Sequence, residues 1–340
     1  MLQQRLTGQW MQDFRQCGLH TLSHAGGEDD YVHRPFSNKL KKMKKFNTPP
    51  TAFSRARMLF LIAFVALLSA CSAVRFTYNH GDTLLYWWLN AYLDLDSDQS
   101  DWVKKDIDNL FQWHRTTQLH DYAGLLSKMQ RQLGDGNVTQ DELLSDYRDI
   151  KARTELLAFK ALPQLADLAM SIKPDQIVQM EKKFAKNNED FRKKFMSGSI
   201  DDQHKARYKK AMEQLELWFG SFNRDQEAAL RKASDARPLD NEIWLQERMT
   251  RQKKIIALLQ RIHQDKLSKE QTMSAVHDLL RDLFDRMDAP DRKAFFDAYV
   301  DSTSKFILTA IRITTPEQKA HAQKRMQGWI NDFNALASGK

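Results

Sequence analysis

The chain has 340 residues, of which 42% are hydrophobic and 28% charged, a composition that is typical of globular proteins and excludes a disordered chain. Its formal net charge is +8, but residues 1–70 hold ten Lys and Arg against four Asp and Glu, whereas the remainder holds 42 against 40. The basic excess lies mainly in the N-terminal segment, so the overall charge does not indicate a nucleic-acid-binding protein.

The N-terminal region contains an apolar run, MLFLIAFVALLSA at residues 58–70, which is followed directly by Cys71. This run is too short for a membrane span, which needs about 20 apolar residues. It suits the core of a secretory signal peptide, which has about 7–15 apolar residues after a basic flank. The basic flank is supplied by Lys44, Lys45, Arg55 and Arg57. We therefore predict a cleaved signal peptide over residues 43–70; an ordinary transmembrane anchor is the alternative.

Leu68, Ser69, Ala70 and Cys71 resemble the lipobox of bacterial lipoproteins, in which the cysteine thiol receives a diacylglyceryl group before cleavage. The resemblance implies that Cys71 is lipidated and attaches the mature protein to a membrane. In the sorting pattern of enteric lipoproteins, Ser72 rather than Asp at the next position implies the periplasmic face of the outer membrane, with the inner membrane as the alternative. An exported protein of this kind has no nucleic acid to bind. Cys17 precedes the cleavage site, so the mature chain has neither a disulfide nor a thiol-based metal site.

The flanking segments complete the predicted organisation. Residues 1–42 show no periodic pattern, and a start at Met43 gives a well-formed basic signal-peptide end, MKKFNTPPTAFSRARMLF. We interpret residues 1–42 as a misassigned N-terminal extension, with a cytoplasmic extension as the alternative. Residues 71–77 are expected to form a lipidated tether, and residues 78–337 an all-helical periplasmic body.

In this body the apolar residues recur at helical spacing. One helix stripe is formed by Val103, Ile107, Leu110, Phe111 and His114, and a near-heptad repeat is formed by Ile177, Phe184, Phe191 and Phe195. No segment shows the sustained apolar and polar alternation that predicts a strand. We therefore predict an all-α protein, an irregular multi-helix bundle. Length alone does not decide between one domain and two.

A short motif recurs at the predicted helix starts: an apolar residue, a capping residue, any residue, an acid, and then Gln or Glu. It begins at Leu95, Val138, Ile172, Phe222 and Leu267, and at Thr314 without the apolar lead. The motif predicts a capping box, in which the cap and the last residue of the motif satisfy each other's backbone amides. The last four instances are 50, 45 and 47 residues apart, which suits stacked helical hairpins. We favour the simpler interpretation that capped helices of ordinary length begin this way, because the helix interiors do not repeat.

Two family resemblances follow from these residues. The helix starts LSKEQ at residues 267–271 and TTPEQ at residues 314–318 resemble the LTxxQ motif of the Spy/CpxP periplasmic chaperones, which implies a curved helical dimer that shelters unfolded envelope proteins. The lipobox, the stretch YNHGDTLLYWWL at residues 78–89 with LDLD at 93–96, WHR at 113–115 and the C-terminal helix 315–336 resemble an uncharacterised Gram-negative lipoprotein family. That second resemblance implies an envelope location and no particular activity.

The candidate chemical sites are few. Four acids, Asp94, Asp96, Asp98 and Asp101, imitate the start of a calcium loop, but Gln99 and Lys105 stand where such a loop needs Gly and Glu, so helix capping explains these acids better. The seven histidines after Cys71 form no zinc-protease motif, and no nucleophile elbow, P-loop or dinucleotide fingerprint occurs. His114 lies on the apolar stripe and is expected in the core. We therefore predict no metal, no cofactor and no enzymatic activity.

Two surfaces remain as candidate binding sites. An aromatic-rich region near the lipid end could form an interfacial belt or a ligand groove, although a helical core explains most of its residues better. It contains Tyr86, Trp87, Trp88, Tyr92, Trp102, Phe111 and Trp113. A basic stretch away from the Phe184, Phe191 and Phe195 stripe could bind lipid phosphates or an acidic protein segment, with a merely solvated face as the alternative. It contains Lys182, Lys183, Lys186, Lys193 and Lys194.

These observations lead to one expected function and one alternative. The expected function is a non-catalytic, membrane-tethered envelope lipoprotein that binds or shelters protein partners in the periplasm. The alternative is a carrier of lipid or another small ligand that uses an aromatic-rich helical groove.

Overall fold

The computed structural model describes residues 73–339, and within this range it contains thirteen α-helices, one 3-10 turn and no β-strand. The predicted all-α class is therefore confirmed. In chain order the helices are α1 (Ala73–Asn79), α2 (Gly81–Leu93), α3 (Ser97–Thr117), α4 (Leu119–Asp135), α5 (Gln140–Lys160), α6 (Leu162–Ser171), α7 (Pro174–Phe195), α8 (Ile200–Phe219), α9 (Arg224–Asp235), α10 (Asn241–Asp265), α11 (Lys269–Phe284), α12 (Lys293–Ile313) and α13 (Pro316–Ala337). The 3-10 turn, Arg286–Asp288, lies between α11 and α12.

The helix starts that the recurring motif predicts are confirmed. Five helices begin with a complete capping box, in which the cap side chain accepts the amide three residues on and the Gln or Glu there accepts the amide of the cap. Their caps are Asp96, Thr139, Asn223, Ser268 and Thr315. At α7 the cap is Lys173, whose side chain has no acceptor, so only the second half of the box forms: Lys173 N donates to Gln176 Oε1 at 2.9 Å.

Two of the motif glutamines also join their helices to each other. Gln99 and Gln176 are both buried. Gln176 Nε2 donates to Gln99 Oε1 at 2.7 Å, and Gln99 Nε2 donates to Gln176 Oε1 at 3.1 Å. Each amide also donates to a carbonyl five residues before its partner, Gln99 to Ser171 O at 2.7 Å and Gln176 to Asp94 O at 3.1 Å. We call this reciprocal pair a glutamine clasp.

The same arrangement recurs between the starts of α9 and α13. Gln226 Nε2 donates to Gln318 Oε1 at 2.8 Å, and Gln318 Nε2 donates to Gln226 Oε1 at 3.3 Å. The additional acceptors are Ile313 O at 2.7 Å and Ser221 O at 2.6 Å, again five residues before the partner glutamine. The motif that recurs in sequence therefore has a tertiary role in four of its six copies, beyond the capping that we favoured as its explanation.

The apolar side chains form two main clusters, one near each clasp. The first lies among α2, α3, α7 and α10 and comprises Tyr92, Leu93, Leu95, Val103, Ile107, Ile172, Ile177, Met180, Ile256 and Leu259. The second lies among α4, α8, α9, α12 and α13 and comprises Leu133, Ala211, Met212, Leu215, Phe219, Phe222, Leu230, Phe306, Ala310, Ile311 and Ala322.

Helix packing does not follow the order of the chain. Among the most extensive contacts are those of α4 with α13, α6 with α11, α7 with α10 and α9 with α12. Because these partners are far apart in sequence, the bundle is irregular and is not a stack of consecutive hairpins.

The first helix begins at Ala73, inside the stretch 71–77 that we expected to be a tether. After α1, Gly81 lets α2 approach α3 closely, since a Cβ atom at Gly81 would lie 2.6 Å from Cε1 of Phe111. The helical body therefore starts within a few residues of Cys71.

Candidate functional site

The predicted lipidation site cannot be located in the fold. Leu68, Ser69, Ala70 and Cys71 lie outside the described residues, as do the predicted segments 1–42 and 43–70. Between residues 73 and 339, none of the helices is both long enough and apolar enough to cross a membrane.

The basic stretch lies on α7, and most of it is exposed. The inner face of this helix packs into the first apolar cluster through Ile177, Met180 and Phe184. Four of the five predicted lysines point to solvent: Lys182, Lys186, Lys193 and Lys194. We call these four the lysine face. Lys183 differs from the prediction, because it is half-buried with its Nζ 5.6 Å from the ring centroid of Tyr92.

Acids of the same helix, Glu189 and Asp190, neutralise the lysine face in part. Lys193 forms an i,i+4 ion pair with Glu189, and this contact lowers the pKa of the Glu189 carboxyl. Within residues 73–339 the other three lysines, Lys182, Lys186 and Lys194, take part in no ion pair. A cluster of exposed cations that outnumber the acids beside them attracts acidic surfaces, and this attraction is screened by salt.

A second candidate site is a cleft of about 270 Å³ between α10, α11 and the 3-10 turn. Its floor holds Glu247, which is 2% exposed. Arg251 Nε lies 2.7 Å from Glu247 Oε1, without the alignment of a hydrogen bond, and Arg286 Nε lies 3.6 Å from the same atom. Burial and the nearby Arg251 lower the pKa of Arg286. Two guanidinium groups therefore share one buried carboxylate.

Other polar groups in this cleft also make ion pairs or backbone hydrogen bonds. Lys254 forms an ion pair with Asp282 at 2.6 Å, and Arg286 donates to Leu283 O at 2.7 Å. The hydroxyl of Thr250, which also lines the cleft, donates to Gln246 O at 2.9 Å. The arrangement is that of a structural ion cluster. Across residues 73–339, no three His, Cys, Asp or Glu side chains converge in a way that could hold a metal ion.

The aromatic region is mostly core, as expected. Tyr92 is buried in the first apolar cluster, and several neighbours pack against that cluster. The packed neighbours are Tyr86, Trp88, Trp102 and Phe111. Trp113 is half-buried, and only Trp87 is exposed. The aromatic side chains therefore fill space between helices instead of lining an open groove.

His114 also occupies the interior that its position on the stripe predicts. Its Nδ1 atom lies 2.8 Å from the hydroxyl of Tyr78, and its ring is tilted by 54° against that of Tyr122, with centroids 5.3 Å apart. Burial lowers the pKa of His114 to about 4. Burial also raises the pKa of Tyr78 to about 12, so both groups are neutral near pH 7, and the tautomer of the imidazole determines which of them donates.

The acids that imitate a calcium loop act at helix ends. Asp96 Oδ1 accepts the amide of Gln99 at 2.9 Å, and Asp96 Oδ2 lies 2.7 Å from Lys173 Nζ. The contact with Lys173, followed by the Gln99 amide, lowers the pKa of Asp96. Asp94 ends α2 in the left-handed conformation, with φ of 50°. Capping therefore accounts for both residues.

Comparison with known proteins gives a family but no function. The sequence model of DUF6279, a family of unknown function, matches residues 91–283. The matched range contains the Gln99 and Gln176 clasp, the lysine face and Glu247, whereas Arg286 and Gln318 lie beyond it. No curated protein matches the chain, and no solved structure does.

Proposed function

Since the chain belongs to DUF6279, a family of unknown function, we propose a role from its own residues. In this proposal the protein is a non-catalytic lipoprotein of the bacterial envelope. Lipid on Cys71 holds it at the periplasmic face of the outer membrane, and its helical body binds or shelters a protein partner.

The observation that supports the anchor is the order of segments along the chain. The apolar run 58–70 ends in Leu68, Ser69 and Ala70 directly before Cys71, and helix α1 begins two residues later at Ala73. A run of this length is shorter than a membrane span. Each methylene of an acyl chain on the cysteine would contribute about 0.8 kcal/mol to the free energy of membrane binding, and two or more chains give stable attachment.

The observation that supports partner binding is the lysine face. Its cations project from a helix whose opposite face is held by α2 and α10, so the charges have a fixed spacing on a rigid support. Such a face suits an acidic protein surface, which it would select and orient by electrostatic complementarity. The resemblance of the two late helix starts to the LTxxQ chaperone motif agrees with a sheltering role.

Partner binding is preferred to ligand transport and to enzymatic activity, for a separate reason in each case. The ligand carrier was suggested by seven clustered aromatic side chains, and six of these are buried or half-buried in the helix packing. An enzyme would need reactive groups that converge in a cleft, but the charged cleft around Glu247 pairs its carboxylate with Arg251 and Arg286.

Site-specific photocrosslinking in intact cells tests this proposal. A photoreactive amino acid would replace Lys186 on the lysine face or, as a matched exposed control, Lys324 on α13. We expect a discrete crosslinked product with an acidic envelope protein from position 186 and none from position 324. Equal products from both positions, or no product from 186, would contradict partner binding by this face.

A further inference from the structure

The first two helices carry the exposed aromatic side chains of the described body. Phe76 on α1 is 62% exposed, and Trp87 on α2 is 56% exposed. The other large hydrophobic side chains that are exposed between residues 73 and 339 are aliphatic and are spread over α5 to α8. A single exposed apolar residue is ordinary on a globular protein. Two exposed aromatic side chains on the two helices that follow the predicted anchor need an explanation.

These two side chains lie on one helical stripe. Phe76, His80, Thr83 and Trp87 are all exposed, and their spacing of four, three and four residues places them on one face of a helix. At the junction of the two helices, His80 N donates to Phe76 O at 3.2 Å in the last turn of α1, and Leu84 N donates to His80 O at 3.0 Å in the first turn of α2. His80 itself is not helical, with φ of −114° and ψ of 9°, so the four residues lie along two consecutive helices. We call them the aromatic stripe.

The position of the stripe relative to Cys71 determines what it can meet. Phe76 follows Cys71 by five residues, which span at most about 18 Å even when the chain is fully extended. If lipid on Cys71 enters the bilayer, the near end of the stripe cannot lie far from the headgroups. Tryptophan is the side chain that most favours this boundary, because its ring is apolar and its N–H is polar.

The charges beside the stripe also suit a lipid surface. Lys104 on α3 is exposed, and its Nζ lies 4.7 Å from the ring centroid of Tyr86, the residue next to Trp87. Tyr86 is fixed in turn by its hydroxyl, which donates to Ser100 Oγ at 2.9 Å. An exposed lysine beside Tyr86 can contact lipid phosphate if Trp87 lies at the headgroups. Asp108, one helical turn after Lys104, is exposed and offsets part of this positive charge.

From this placement we propose that the aromatic stripe is a membrane-docking surface: Phe76 and Trp87 enter the headgroup region and hold α1 and α2 against the bilayer. The inference rests on the proposed lipid anchor at Cys71. It adds that the anchored body has one fixed orientation, in which Phe76 and Trp87 touch lipid while Leu156 on α5 faces water.

Fluorescence quenching in vesicles tests the orientation. The full chain would be expressed with Phe76→Cys, Trp87→Cys or Leu156→Cys, and the mature lipoprotein would be labelled with the environment-sensitive dye NBD. Cys17 is removed with the signal peptide and the Cys71 thiol carries lipid, so the introduced thiol is the one labelled. Leu156 is a suitable control because it is 49% exposed on a helix that packs against α11 and α12.

The proteins would be reconstituted into vesicles of phosphatidylethanolamine and phosphatidylglycerol, with or without a lipid that carries a nitroxide near its headgroup. We expect blue-shifted NBD emission at positions 76 and 87, with a loss of emission in nitroxide vesicles, and neither change at position 156. Circular dichroism would verify that each variant keeps the helical fold. If the protein is acylated and bound to vesicles, but NBD at positions 76 and 87 shows the same emission and quenching as at position 156, the docking surface is wrong and the anchor stands. A chain without an acyl group on Cys71, by mass spectrometry, would overturn the anchor and the docking surface together.

Discussion

The side-chain amides of Gln99 and Gln176 hydrogen-bond each other in both directions, at 2.7 and 3.1 Å, although 77 residues separate them in the chain. Each of these glutamines also accepts a backbone amide at the start of its own helix, Asp96 N at 3.2 Å and Lys173 N at 2.9 Å. One side chain therefore caps its helix and fixes the position of another helix. Gln226 and Gln318 repeat the arrangement at the second apolar cluster.

The clasp predicts a stability difference between two kinds of motif glutamine. Replacing Gln99 with Ala leaves the buried amide of Gln176 without its partner, which should lower the free energy of unfolding by about 1–3 kcal/mol. Gln271 is exposed and makes only the capping contact with Ser268 N, so Gln271→Ala should cost about 0.5 kcal/mol. Urea unfolding followed by circular dichroism measures both values. Similar losses for the two variants would show that the clasp adds nothing to capping.

A double-mutant cycle isolates the contact between the two amides. The double variant Gln99→Ala with Gln176→Ala should lose less than the sum of the single variants, with a coupling of at least about 0.5 kcal/mol. Gln99→Ala combined with Gln318→Ala should be additive, because Gln318 belongs to the other clasp. Additive losses in the first pair would contradict a direct interaction.

The half-buried His114 predicts a loss of stability in acid. Burial lowers its pKa in the folded state to about 4, below the ordinary value of 6.5, so the unfolded chain binds more protons between these two pH values. The stabilising contribution is therefore complete above about pH 6.5 and is lost as the pH falls towards 4. A shift of this size corresponds to at most about 3 kcal/mol.

Urea unfolding at pH 7 and pH 4.5 measures this effect. His114→Gln keeps an acceptor for the Tyr78 hydroxyl but cannot titrate, so the variant should lose less stability than the original protein over this range. An equal loss in both proteins would assign the acid sensitivity to other groups.

Because two arginines share the carboxylate of Glu247, its removal should destabilise the protein more than removal of an exposed glutamate on the same helix. Glu247→Ala leaves the half-buried Arg251 and Arg286 without their shared anion, which should lower the free energy of unfolding by about 1.5–3 kcal/mol. Glu242 lies on the same helix but is exposed in its first turn, so Glu242→Ala should cost less than about 1 kcal/mol. Thermal or urea unfolding distinguishes the two. A small loss for Glu247→Ala would mean that water reaches the arginines and replaces the carboxylate.

The lysine face predicts that charge reversal changes binding and spares stability. Lys182→Glu with Lys186→Glu should reduce the photocrosslinked product from position 194, because the acidic partner would meet like charge. The melting temperature should stay nearly constant, since both side chains are exposed and outside any ion pair of residues 73–339. The control variant, Lys232→Glu with Lys324→Glu, makes the same change of net charge on α9 and α13 and should leave the product unchanged. Equal reduction by both double variants would indicate a general effect of charge.

The helix starts could be predicted from the sequence because their causes are local. Asp96 and Gln99 satisfy each other's backbone within four residues, so the motif alone locates the start of α3. The all-α class follows in the same way from the period of the apolar residues. The clasp could not be predicted, because a motif specifies what Gln99 does within its own helix and not which distant helix it meets.

For the candidate surfaces too, the sequence predicts side-chain positions that have local causes and does not predict contacts with distant residues. Lys182 and Lys186 lie where the charge pattern on α7 predicts, in solvent. Lys183 is adjacent to them in the sequence but packs beside Tyr92, and a contact across 91 positions has no local signature. The sequence did not predict the charged cleft, because one of its residues is distant in the chain. Glu247 and Arg251 lie within one helix turn, but Arg286 comes from the 3-10 turn after the next helix.

The most direct test of the central claim, lipid attachment at Cys71, is metabolic labelling of living cells with a clickable fatty acid. The original chain and Cys71→Ala would be compared after capture of the protein, with Ser72→Ala as a control that keeps the thiol. We expect strong labelling of the original chain and of the control, no labelling of Cys71→Ala, and accumulation of its uncleaved precursor. Labelling of Cys71→Ala equal to that of the original chain would contradict the lipobox and, with it, the proposed anchor.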